Sequence, residues 1–382
     1  MFAGIYGRGG ASAAVSGRAW LQAMLEAEAA VARAAAAEGM VPPEAAEAIA
    51  AACGSGRFDL DAISREAADH ATPVVPLVRT LREQVGEQLA PYVHVGATSQ
   101  DIIDTAAMLV SSHALDAIFE DGRGAAHAAA RLAREHRTTA MSGRTLLQQA
   151  LPTSFGLRAA GWLVGLHESL NRLEHVREHE LAVQLGGPVG ALSPALARRM
   201  AAALRLAEPV LPWNTIRVRV ASLASGVGVV SGVLMKVARD VTLLAQDEIG
   251  EAREGGGSAR GGSTAMAHKR NPVAAVSVIA CARRVPGLVA TIFSSMEQEH
   301  ERAAGAWQAE WGTLSDLLAL GGSAASWGRE LLERLEVDPD RMRENLRRLE
   351  AAGVAEATDS EQHLGAASEL VDRALAATGE SR

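Results

Sequence analysis

Proline divides this chain more decisively than any other residue. None occurs between Pro91 and Pro152, between Pro152 and Pro188, or between Pro212 and Pro272. Proline removes a backbone donor and clashes with the preceding turn, so windows without it are where long helices fit. The spacing predicts helices over roughly 101–136, 154–182, 216–250, 273–300 and 306–334, with Pro286 kinking the fourth. A helix over 216–250 would be about 50 Å long at 1.5 Å per residue. Its run Val220, Leu223, Ala224, Val227, Val230, Val233, Leu234 and Val237 is apolar on more than one face, so other helices must surround it.

Composition points the same way. Hydrophobic residues make up 48% of the 382, yet Phe, Trp and Tyr together only 3%. Ala, Leu and Val must fill the core; Ala and Leu favour helix, and small side chains let helix axes approach. A sheet would draw on β-branched and aromatic residues. The expected fold class is all-α. The first hundred or so residues form a separate region of shorter helices. One spans Ala19–Ala37, with Leu21, Met24, Leu25, Val31 and Ala32 at core spacing and Glu28 interrupting that face; Pro42-Pro43 then breaks the chain before a helix over 44–52. Beyond Pro339 there is room for two short helices.

Several function classes are disfavoured. Lys plus Arg number 37 against 45 Asp plus Glu, a net charge of −8 spread without a basic stripe, so no nucleic-acid partner is expected. The uncharged stretches Leu181–Ala197 and Val220–Met235 fall short of the ~20 apolar residues that span a bilayer, so no transmembrane helix and no membrane partner are expected. Gly4, Arg8, Gly9 and Gly10 interrupt any signal-peptide pattern. Cys53 and Cys281 are too few and too far apart for a disulfide framework or metal cluster. His175 and His179 stand four apart without a third ligand at suitable spacing, so no metal is expected. The reading is a cytoplasmic protein whose long apolar faces call for a multimer.

The densest polar stretch runs from Glu254 to Pro272, EGGGSARGGSTAMAHKRNP. Gly255, Gly256, Gly257, Gly261 and Gly262 are followed by Ser263, Thr264, His268, Lys269, Arg270 and Asn271. No Gly-Lys-Ser/Thr follows, so it is not a phosphate-cradling loop. A flexible linker closed by Asn271-Pro272 is the plain alternative.

GSTAMAHKRNP, Gly262 to Pro272, closely resembles the GSSxMPxKxNP loop of the fumarase/aspartase superfamily. HVGATSQDIIDT, His94 to Thr105, resembles the first block of its adenylosuccinate lyase and carboxymuconate cycloisomerase branch. SGRTLLQQALPTSFG, Ser142 to Gly156, resembles the second. LQAMLEAEAAVARA, Leu21 to Ala34, and EHERAAGAWQAEW, Glu299 to Trp311, resemble the cycloisomerases, so the likeness covers most of the chain. It implies an N-terminal helical domain over 1–100, a central five-helix bundle over 101–335 with a mobile catalytic loop over 254–272, and a short C-terminal helical region over 336–382. It further implies a homotetramer whose active sites combine blocks from three subunits, a small polycarboxylate substrate and no cofactor.

By this resemblance Ser263 is the catalytic base at the carbon α to a carboxylate, acting through a carbanion. A serine hydroxyl is a poor base unless its alkoxide is stabilised, so glycine-loop N–H groups and Lys269 are sensible company. Lys269 and Asn271 would hold a carboxylate, as would Thr145 and Gln148 of the second block. Thr98 and Ser99 would contact substrate. Thr98-x-x-Asp101 is equally a capping box, and a helix N-terminus can do both. His94 is either catalytic or structural. Arg217 and Arg219, in PWNTIRVR, would pair with substrate carboxylates or face solvent.

Lyases that expel an amine or hydroxide usually carry GRTH in the second block, the His serving as general acid. This chain has Leu146. An amine departs badly without a proton, whereas a carboxylate, with a pKa near ~4, needs none. Opening a lactone expels a carboxylate. The resemblance therefore implies a cycloisomerase interconverting 3-carboxy-cis,cis-muconate and 4-carboxymuconolactone in aromatic breakdown. A lyase of a succinyl adduct such as adenylosuccinate is the first alternative, opposed by Leu146. A non-catalytic paralogue is the second. Ala267 in place of the loop proline, and Asn214 and Val218 where His and Asp are expected, speak for it; Ser263, Lys269 and Asn271 speak against it.

Overall fold

The computed structural model describes residues 1–256, 260–263, 266, 269–351 and 364–380. Thr264, Ala267, His268 and His363 lie outside the described residues. Two short helices, α1 (Ala3–Tyr6) and α2 (Gly10–Ala14), precede α3 (Gly17–Ala37), α4 (Pro43–Cys53), α5 (Leu60–His70) and α6 (Val74–Val85). Next comes α7 (Ser99–Glu135), then a hairpin of β1 (Ala140–Thr145) and β2 (Gln148–Ser154), α8 (Phe155–His179), α9 (Pro194–Leu204) and α10 (Val218–Leu244). A short strand β3 (Ala252–Glu254) leads toward α11 (Val273–Ala282), α12 (Val285–Ser294) and α13 (Ala306–Glu333). The chain continues through β4 (Leu335–Val337), α14 (Pro339–Ala351) and α15 (Ala367–Ala377).

The long helices fall in the proline-free windows, with two adjustments. Helix α10 is about 40 Å long at 1.5 Å per residue, shorter than its window: Arg217 is its N-cap and Ala245 its C-cap. The expected 273–300 helix is two: Arg283 and Arg284 separate α11 from α12, Pro286 sits in the first turn of α12, and helix stops at Ser294. Proline fits there because first-turn N–H groups have no intrahelical partner.

Two apolar cores share α7. Its C-terminal half, with Leu115, Ile118 and Phe119, packs against Leu163 and Leu166 of α8, Val227 and Leu234 of α10, and Leu317 and Leu318 of α13. Its N-terminal half, with Ile102, Ile103 and Leu109, belongs to a second core with Leu21 and Leu25 of α3, Leu77 of α6 and Met200 of α9. The second core thus draws in residues 183–201 from beyond the first hundred.

Three helical stretches, Ser99–Glu135, Val218–Leu244 and Val273–Ser294, are long and apolar enough to cross a membrane, contrary to the expectation that none would be. A longer helix tolerates a few charges, so the length of an uncharged run does not bound an apolar helical stretch. In the fold 78% of the most apolar part of α7 is covered by protein, whereas Val273–Ser294 is 39% covered and has exposed Arg283 and Arg284 at its middle, where a bilayer would penalise them.

Candidate active site

The first group of candidate residues surrounds the start of α7. Thr98 caps the helix, and the Asp101 carboxylate accepts from the Thr98 N–H at 2.9 Å, completing the capping box. Asp101 is fully buried. It also accepts from the N–H groups of Gly186 and Gly187, each at 3.0 Å, and from Gln184 Nε2 at 3.2 Å. Burial pushes its carboxyl pKa up, against the pull of the backbone amides. Gly187 has φ 68, and a Cβ there would lie 2.8 Å from the Gly96 carbonyl oxygen; only glycine lets these loops touch. Arg302 secures the same loop by donating to the carbonyls of Gly187 and Pro188, and to Gln100 Oε1 at 2.7 Å. Thr98 and Ser99 are half-exposed at a helix terminus whose dipole and free N–H groups suit an anion.

His94 is mostly buried, with Nδ1 2.7 Å from Glu28 Oε1. Burial alone would lower its pKa; the charge and hydrogen bond of Glu28, helped by Asp101, raise it overall. The acid that interrupts the apolar face of α3 is therefore the partner of this histidine.

Arg217 requires a correction. It is 2% exposed and faces neither substrate space nor solvent. Its guanidinium spans Asp104, at 2.8 and 2.9 Å, and Glu310, at 3.0 Å from Nε, and stacks on Trp213 with 4.7 Å to the ring centroid. Trp307 Nε1 donates to Asp104 at 2.9 Å and Gln298 to Glu310 at 2.9 Å. Burial would lower the Arg217 pKa, but Asp104 and Glu310 raise it. A cation whose donors all meet buried acids has a structural role. Asn214 is buried in the same network, its amide oxygen accepting from Gln184 Nε2 and its carbonyl from Gln100, while Val218 is exposed.

The second block forms the β1–β2 hairpin, which the all-α reading did not foresee. Thr145 pairs with Gln148 across a two-residue turn. Both are exposed. The turn residues Leu146 and Leu147 have φ 50 and 65, and are 96% and 77% exposed. Positive φ at both central positions suits a hairpin turn that normally takes Asn-Gly. The hairpin is anchored by Arg144, which grips buried Glu251 through two bonds of 2.8 and 2.7 Å, while Asn345 donates to Glu251 at 2.8 Å. A cavity of about 490 Å³ beneath it is lined by Thr145, Arg144, Arg158 and Lys236. A second, of about 620 Å³, lies against Leu146, Leu147, Arg158 and Lys236. Burial lowers the Arg158 pKa; that cation, unnoticed in the sequence, adds positive charge beside Thr145.

The third block is pinned at both stems. Strand β3 pairs with β4, and the Glu254 carboxylate then caps α11 by accepting from the N–H groups of Ala275 and Ala274 at 2.8 and 2.9 Å. Within the loop, the N–H and side-chain amide of Asn271 donate to the Gly261 carbonyl at 2.8 and 3.0 Å. Ser263 Oγ accepts from the Met266 N–H at 3.2 Å, and Lys269 is exposed. Each block is thus held by its own neighbours; among the described residues no hydrogen bond or ion pair joins His94, Thr145 or Gln148 to the 260–271 loop.

The lyase family model matches residues 9–287. The chain is 43% identical over 343 residues to the 3-carboxy-cis,cis-muconate cycloisomerase of Bradyrhizobium diazoefficiens, covering 87% of this chain and 76% of that protein. It is 44% identical over 351 residues to the nitrosuccinate lyase of Streptomyces davaonensis, covering 87% and 74%. The crystal structure of 3-carboxy-cis,cis-muconate lactonizing enzyme from Pseudomonas putida superposes with a TM-score of 0.93 at 35% identity, over 100% of this chain and 99% of that one.

Proposed function

The chain belongs to the lyase family, and from that premise we propose that it is a cofactor-independent cycloisomerase interconverting 3-carboxy-cis,cis-muconate and 4-carboxymuconolactone. The observation that carries this reading is the hairpin tip. Leu146, 96% exposed beside Thr145 and Gln148, has no proton to give, which suits a leaving group that departs as a stable anion, such as the carboxylate freed when a lactone opens.

In the lactonising direction one substrate carboxylate attacks the double bond, and the displaced electron pair gathers on the carbon α to another carboxylate. Ser263 delivers a proton to that carbon; in the opposite direction it removes one. The Met266 N–H donating to Ser263 Oγ stabilises the alkoxide involved. Lys269 binds a carboxylate, and Asn271 joins it by exchanging its bond to Gly261 for one to substrate. Thr98, Ser99, Thr145 and Gln148 supply the remaining contacts, with His94 at the start of the α7 cluster.

The complete site lies between subunits of a cytoplasmic homotetramer, each site taking its three blocks from different chains. Supporting this, the blocks are anchored separately within one chain, and Val229 of α10, Val276 of α11 and Phe293 of α12 are exposed along the bundle. Purified protein given 3-carboxy-cis,cis-muconate without metal or nucleotide should abolish the ultraviolet absorbance of the conjugated diene and yield lactone. A folded tetramer that leaves the diene intact would refute the assignment. The nitrosuccinate lyase relative favours a second reading, since nitrite also departs without a proton. Nitrite release from nitrosuccinate, with the diene untouched, would replace the first reading by the second.

A further inference from the structure

We propose that Glu28 is a positioning residue of this site, holding the ring of His94 through Nδ1 and keeping it charged so that Nε2–H can donate to a substrate carboxylate. The inference rests on the reading of His94 as a group that meets substrate.

Glu28 is 1% exposed on a face of α3 shared with the core residues Met24, Leu25 and Val31. Oε1 lies 2.7 Å from His94 Nδ1, while Oε2 is buried and accepts no hydrogen bond among the described residues. No Lys or Arg among them lies within ion-pair distance of Glu28, so His94 is its one counter-charge there. Burying a carboxylate in this way is costly without a charged, hydrogen-bonded partner. The charged groups that act on His94 are Glu28 from α3, Asp101 from α7 and Arg82 from α6. The two acids favour the imidazolium; Arg82 opposes it, but directs Nη2 to the Val93 carbonyl at 3.4 Å.

The backbone supports a specialised role. His94 has φ 66, a left-handed conformation that a β-carbon disfavours and that persists where surrounding structure enforces it. With Nδ1 committed to Glu28, Nε2 is the nitrogen left for another partner, and it makes no hydrogen bond among the described residues. The charge then decides what Nε2 can do. In the neutral ring with Nδ1 protonated, Nε2 is an acceptor that repels a carboxylate; in the imidazolium it is a donor that binds one.

The sign follows directly. The His94 pKa is raised, so carboxylate binding is present below that pKa and is lost as pH rises through it. Glu28→Gln keeps an oxygen acceptor for Nδ1–H but removes the charge. In protein labelled with ¹³C-histidine, the His94 ring resonance of this variant should titrate about one pH unit lower or more. The alkaline limb of kcat/KM should move down with it, through KM rather than kcat. An unmoved titration and an unmoved limb in folded Glu28→Gln protein would overturn the proposal, even if its Tm had fallen. His94→Asn should raise KM about tenfold; unchanged KM and kcat would show that His94 does not meet substrate, overturning the donor role while leaving the ring titration to decide the Glu28 link. Wild-type protein inactive on the muconate would sink the assigned reaction instead, and the labelled-ring titration would still judge Glu28.

Discussion

The start of α7 and the tip of the β1–β2 hairpin are both rich in candidate contacts, but they are built on opposite principles. Around α7, Asp101, Asp104, Gln184, Asn214, Arg217 and Glu310 are all buried and saturated with one another; little of that polarity faces outward beyond Thr98, Ser99 and His94. At the hairpin Arg144 is anchored on buried Glu251, and the residues beyond that anchor, from Thr145 to Gln149, are exposed. One region spends its charges on rigidity. The other offers side chains, from Thr145 to Gln149, that make no side-chain hydrogen bond among the described residues. Charge alone therefore does not mark a candidate substrate contact, since the charges around α7 are consumed by one another.

The largest effect expected from this contrast concerns stability. Arg217→Met would leave Asp104 and Glu310 buried without their cation and should cost about 3–5 kcal/mol, measured by denaturant or thermal unfolding. A loss below about 1 kcal/mol would mean that the α7 network is not structural and would erase the contrast. Ser263→Ala should do the reverse, lowering turnover by roughly two orders of magnitude or more while the oligomeric state and Tm stay as in the parent. Near-normal turnover would remove Ser263 from the chemistry.

The hairpin tip gives a finer test. Two leucines at positive φ are a costly choice, by roughly 1–2 kcal/mol per residue. Replacing Leu146-Leu147 by Asn-Gly should stabilise the protein by about 1 kcal/mol and lower kcat/KM. A stabilised variant with unaltered kcat/KM would show that the tip serves folding alone. The smallest effect should come from Leu146→His, which supplies an acid to a reaction that has no use for one. A large gain in cycloisomerisation would break the leaving-group argument.

The helices were legible because proline acts locally: Pro286 broke the chain where helix geometry requires. The hairpin was not, because SGRTLLQQALPTS lacks strict alternation and has no Asn-Gly at its turn, leaving neither usual signal. Arg217 was misjudged for a different reason. Its role depends on Asp104 and Glu310, each roughly a hundred residues away, and no local pattern announces a pairing of that range. Glu28 shows the same limit: in sequence it is a flaw in an apolar face, in space it is the partner of His94. The motif residues of the glycine loop could be picked out one by one, but not the hydrogen bonds that tie the Asn271 amide to the Gly261 carbonyl and the Met266 N–H to Ser263 Oγ.

The reach of the α7 network also has a consequence in time. Asp104 meets Arg217 113 positions later and Trp307 203 positions later. At synthesis rates of roughly 5–20 residues per second, the ribosome needs roughly 10–40 s to make Trp307 after Asp104. Throughout that interval the nascent α7 carries an acid that still lacks one of its buried donors. A chain stalled before Trp307 lacks the indole that packs in the second core and donates to Asp104, so interrupted translation should yield a product that quality control treats as incompletely folded.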